Sequence, residues 1–195
     1  MTATLVIACG ALSREIKALQ DAYGWDQLTL RCLDASLHNR PEKIPSRLRE
    51  LIMQEIDNYD RILLGYADCG TSGGIDALVD EFGLTRLPGA HCYQTFMGVR
   101  AFDELMSEHP GTFFLTDFLV RQFQSFVVKG LGLDEHPELK EIYFGGYERV
   151  VYLAQIDDPN LTRRAIKAAN YLNLKFERID TGYGELVTNL IRVVA

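Results

Sequence analysis

The sequence has no apolar run approaching the roughly 18 residues that a membrane helix requires, which argues against a spanning segment. It also lacks a charged stretch ahead of its first apolar run, so no secretory leader is read and a cytoplasmic protein is expected. Positive charge is scarce: 20 lysines and arginines against 27 aspartates and glutamates leave a net charge of -7. Nucleic-acid binding, which needs several cationic contacts to phosphate, is therefore not expected. There is no fixed-period repeat, no low-complexity segment and no stretch of linker composition. The second half of the chain has no cysteine, and nowhere does a C-x-x-C pair occur, so zinc-finger spacing is missing.

The sequence does contain enough apolar residues for a core: 47% hydrophobic and 24% charged are ordinary for a folded globular protein and exclude a disordered chain. A length of 195 residues suits a single α/β domain over 1–195, with room for two small lobes. Leu5–Ala8 reads as a strand ended by Cys9-Gly10, and Ile16, Leu19 and Ala22 give Ser13–Tyr23 a helical period. Gln27–Leu33 reads as a second strand and Ser46–Asn58 as an amphipathic helix capped by Ser46. Arg61–Tyr66 is a third strand, followed by a glycine-rich turn and a helix over Gly74–Phe82.

Farther on, an apolar strand precedes a helix capped by Thr116 or Asp117, with Phe118, Phe123 and Phe126 as packing residues. Val150–Ala154, Leu161–Leu172 and Lys175–Ile179 form another strand-helix-strand set. Both His109 and His136 precede proline and read as punctuation at helix starts. Alternation of this kind predicts an open, mainly parallel sheet with helices on both faces.

In such sheets ligands bind beyond the carboxyl ends of the strands. Cys9 follows the first strand, and Cys69, in "YADCGTSGG", lies just past the third. If the loop "GAHCYQT" folds over that edge, Cys92 joins them. Three thiols in a reducing compartment favour metal binding over a disulfide, and three protein ligands leave one position open for water or substrate. Asp68 and His91 adjoin cysteines and are candidate supporting partners, while His91 or His38 is a candidate fourth ligand. Cys32, within a strand, reads as structural.

A nucleophilic Cys69 activated by turn amides is a third possibility. However, the position where a cysteine phosphatase carries its arginine holds Ile75 after Cys69 and Glu15 after Cys9. The glycines match neither a P-loop nor a dinucleotide fingerprint. Arg40 and His38 in "LHNRPE", Asp68, Gly70 and Thr71 in the turn, and Tyr183 in "DTGYGEL" are candidate substrate-binding residues at the same edge. Packing alone also accounts for each of them.

The segments "IACGAL", "LHNRPEKIP", "YADCGTSGG", "RLPGAHCYQTF", "GTFFLTDFLVRQF", "GLGLDEHPELKEIYFGGYERVVYLAQ" and "TGYGEL", in this order, resemble a prokaryotic family known only as a domain of unknown function, sixteen thirty-eight. The resemblance covers nearly the whole chain and includes Cys9, Cys69, Cys92, His38, Arg40 and His91. Genes of that family often neighbour those of corrinoid-dependent methyltransferases, which implies a place near one-carbon transfer. Two functions are therefore expected to compete. One is a metalloprotein holding zinc or an iron-sulfur cluster and acting on a small-molecule substrate. The other is a non-catalytic accessory or ligand-binding module for a corrinoid methyltransferase partner.

Overall fold

A computed structural model describes residues 2–194. Phe96–Gly182 forms one compact unit, and the described chain on either side of it forms another. Each is an α/β unit built on its own all-parallel sheet.

In the first unit β1 (Thr4–Cys9) is buried from Thr4 through Ala8. Such continuous burial belongs to a central parallel strand covered on both faces. After a 3-10 turn, α1 (Ser13–Tyr23) buries Ile16 and Leu19 and ends at Gly24, whose φ of 64° closes the helix. β2 (Leu28–Leu33) pairs with β1 in parallel, and α2 (Ile44–Glu55) buries Ile44, Leu48 and Ile52.

Here the expected helix boundaries shift. Pro45 occupies the first turn, where a missing N–H costs nothing, so α2 starts before Ser46. Ser46 is therefore not the cap: its hydroxyl donates to the Lys43 carbonyl at 3.0 Å. At the other end, Ile56–Asn58 tightens into a 3-10 turn instead of extending the helix.

β3 (Arg61–Gly65), α3 (Gly74–Phe82) and the two-residue β4 (Thr85–Arg86) follow, giving the order β2-β1-β3-β4. Next come α4 (Cys92–Met97) and α5 (Val99–Glu108), which are not among the expected elements. Among the residues of α5 only Phe102 is fully buried, although Val99, Phe102, Leu105 and Met106 recur at helical spacing.

The second unit continues with β5 (Thr112–Thr116), α6 (Asp117–Arg121), a π-helical stretch over Gln124–Lys129 and α7 (Leu139–Phe144). Then β6 (Arg149–Ala154), α8 (Pro159–Leu172) and β7 (Lys175–Asp180) complete the sheet β5-β6-β7. The Thr116 hydroxyl accepts from Leu119 N–H, as a cap should. His109 closes α5 rather than opening a helix, its N–H bonding to the Leu105 carbonyl. His136 does introduce α7, its carbonyl accepting from Leu139 at 3.0 Å. α9 (Glu185–Val194) returns to the first unit, where Arg61 donates to the Val193 carbonyl. No helix among the described residues is long and apolar enough to cross a membrane.

Candidate functional site

β1 and β3 run side by side with Ala8 opposite Gly65. A Cβ at Gly65 would lie 2.7 Å from the Ala8 Cβ, so only glycine permits this approach. The next residues, Cys9 at the end of β1 and Tyr66 just past β3, thus lie side by side at the carboxyl edge of the sheet. Cys9, Tyr66 and Cys69 all pack on the core cluster formed by β1, β3, α2 and α3.

The turn after Tyr66 is organised by Asp68. Its carboxylate accepts from the Gly73 N–H at 2.8 Å, the Ser72 N–H at 3.2 Å and the Thr71 hydroxyl at 3.0 Å. These contacts, Gly73 first, hold the Asp68 pKa below the usual carboxylate range. The Ser72 and Gly73 amides of the turn are thus directed at a side chain of the same loop. Cys69 and Ser72 both adopt left-handed backbone, with φ of 52° and 54°.

The turn is joined to the loop that precedes Cys92. Asp68 N–H donates to the Gly89 carbonyl at 3.1 Å and Cys69 N–H to the Ala90 carbonyl at 2.8 Å. Arg86, paired with Asp76, donates to the Leu87 and Gly89 carbonyls. The Gln94 side chain reaches back to the amides of Ala90 and His91. Cys92 is in this way brought beside Cys69.

Electrostatics show the same grouping. Burial pushes the Cys69 thiol up to about 12, and Cys9 adds to the shift. Cys92 is raised well above an ordinary thiol by burial, then by Cys69 and Cys9, with the buried Glu15 carboxyl contributing. Cys9 is raised by burial, against an opposing hydrogen bond from the Ala11 backbone. Three thiols within one another's field, each raised chiefly by desolvation, are all protonated at neutral pH. This is opposite to what an activated nucleophile requires. Tyr66 is 2% exposed, and its pKa is raised by burial and by Cys9, Cys69 and Cys32. Its hydroxyl interacts with the Cys9 thiol but makes no hydrogen bond of good geometry.

The other expected residues surround this group. His38 and His91 are exposed, and the His38 pKa is lowered by its packing and then by His91. Arg40 is exposed; its neighbour Pro41 lies 3.6 Å from where a Gly70 Cβ would be, which sets this stretch against the cysteine turn. Tyr183 is half-buried just before α9, its carbonyl accepting from Leu186 N–H. Cys32 is exposed on β2, in register with Ala8. Among the described residues, no three His, Cys, Asp or Glu side chains stand ready to ligate one ion. Two residues beside the thiols carry no functional signal in the sequence: Tyr66 reads as the end of an apolar strand, and Glu15 as a polar position of α1.

A family model described as "Protein of unknown function (DUF1638)" matches residues 32–190. The chain belongs to that family. The DUF1638 match takes in Tyr66, Cys69, His91 and Cys92 and begins after Cys9 and Glu15. No curated protein and no solved structure matches the chain.

Proposed function

We propose that Cys9, Cys69 and Cys92 form a thiolate centre for a soft metal ion, zinc foremost, with His91 as the nitrogen donor on the solvent side. An iron-sulfur cluster is the other occupant that this donor set would suit. The observation that carries the reading is the gathering of three desolvated thiols at one sheet edge, each raised by burial and two of them raised by the others. A divalent cation reverses this penalty: it draws off the thiol protons and takes up the negative charge that burial disfavours.

When bound, such an ion lowers the pKa of a coordinated thiol or water and supplies Lewis acidity. This chemistry suits methyl transfer, and the resemblance of the chain gives that role its corrinoid-linked setting. His38, Arg40, Asp68, Gly70, Thr71 and Tyr183 would then border the substrate side. Asp68 acts by holding the turn, and Arg40 offers a cation to an anionic group.

The test is metal content and zinc affinity of reduced chain purified without oxygen, compared with Cys9→Ser, Cys69→Ser, Cys92→Ser and Cys32→Ser. About one equivalent of zinc or iron is expected in the wild type. Each of the first three variants should lose about tenfold or more in affinity, and Cys32→Ser should lose none. Wild type holding only trace metal, or Cys69→Ser retaining full affinity, would overturn the reading. A metal-free chain that co-purifies with a corrinoid methyltransferase would favour the accessory module instead.

A further inference from the structure

We infer that the Tyr66 hydroxyl is a positioning donor built into the thiol group, directed at the Cys9 sulfur and fixing its orientation within the proposed centre. This inference rests on the metal-centre reading above. Two observations carry it independently of the cysteine grouping. Tyr66 is 2% exposed, yet its hydroxyl makes no hydrogen bond of good geometry. The strand register also places Tyr66 and Cys9 immediately after the paired residues Gly65 and Ala8, and both pack on one core cluster.

A buried hydroxyl is normally satisfied, so an unsatisfied one calls for an explanation. A neutral thiol offers it little, since S–H is a poor acceptor. A thiolate is a charged acceptor, and hydrogen bonds to charged groups are about twice as strong as neutral ones. A Cys9 sulfur that ligates an ion is therefore the partner this buried hydroxyl suits best. The Cys9 proton leaves to solvent as the ion binds, and Tyr66 keeps its own. The tyrosine is not a ligand: it fixes the orientation of one, much as partners outside the coordination shell do at other metal sites.

Tyr66→Phe removes the oxygen and keeps the ring, so the loaded and metal-free states should respond in opposite directions. Metal-free Y66F is expected to melt at or above the wild-type temperature. Its cobalt(II) affinity, measured by chelator competition on the reduced full-length chain, should fall about tenfold. The sulfur-to-cobalt charge-transfer band should move to lower energy, because an unbonded thiolate is the more easily oxidised. In a Cys9→Ser background the same change should have no further effect.

Y66F that binds cobalt with wild-type affinity and an unshifted band overturns the inference while leaving the metal centre intact. Y66F that fails to fold without metal also overturns it, because the hydroxyl would then serve the apo structure. Wild type that takes up no cobalt defeats both the inference and the reading beneath it.

Discussion

Cys69 combines two unfavourable properties. Its backbone sits at a φ of 52°, a left-handed conformation that costs a non-glycine residue about 1 kcal/mol or more, and its thiol is held in a desolvated site. Glycine would relieve the first and a small apolar residue the second, so the sulfur itself is what this position keeps. The raised pKa has a consequence for stability. An unfolded thiol titrates near about 8.5. The folded Cys69 holds its proton until about 12, so the native state binds that proton more tightly over the interval. Its contribution is complete below the lower value and is lost as pH rises toward the upper one. Metal-free wild type should therefore lose denaturant resistance between neutral pH and pH 11 more steeply than Cys69→Ser. Parallel curves would show that Cys69 is not buried as a neutral thiol. Zinc affinity should change in the other direction, strengthening with pH because the thiols must lose protons to bind. Cys9 and Cys69 were legible at strand ends; Cys92, which opens α4 beyond β4, was not, since its place beside Cys69 comes from backbone bonds between distant loops. Nor was Tyr66, since whether a hydroxyl is satisfied depends on residues distant in the chain.

At the level of strands and helices, the site depends on how closely β1 and β3 approach. Gly65→Ala would put a methyl group 2.7 Å from the Ala8 Cβ, in a sheet centre that cannot open without disturbing Leu5, Ile7 and Leu64. Overpacking of this kind costs about 1–3 kcal/mol. The substitution should lower the melting temperature and weaken zinc binding together, since it displaces the strand ends that carry Cys9 and Tyr66. A variant with unchanged stability would mean that the strands separate freely. The apolar run of β3 and the spacing of α3 made those elements readable, as did the amphipathic periods of α1 and α8. Other elements went unread for different reasons: α4 is only six residues long and the π-helical stretch looks like ordinary helix in sequence, whereas α5 does carry an apolar helical period at Val99, Phe102, Leu105 and Met106. Ser46 shows a different limit, because a good capping residue gave way to Pro45, which starts the helix earlier.

Across the whole molecule, strand-helix alternation predicted parallel pairing but could not say that the strands divide between two sheets. The division is set by which strands hydrogen-bond, and β1 and β6 each serve as the centre of a separate sheet. All of the thiols belong to the first. A ligand that binds only the native state stabilises it by about 2.7 kcal/mol at a hundredfold excess over Kd, and only against openings that break its site. Hydrogen exchange should therefore slow, on zinc addition, in the segments around Cys9–Leu12, Tyr66–Gly74 and Leu87–Gln94. Amides of β5, β6 and β7 should change much less. The turn amides of Ser72 and Gly73 are a sensitive probe, because their bonds to Asp68 are local and their carbonyl-side neighbours are already half-exposed. Protection gained only within Phe96–Gly182 would locate the ion in the other unit and remove the three thiols from the site.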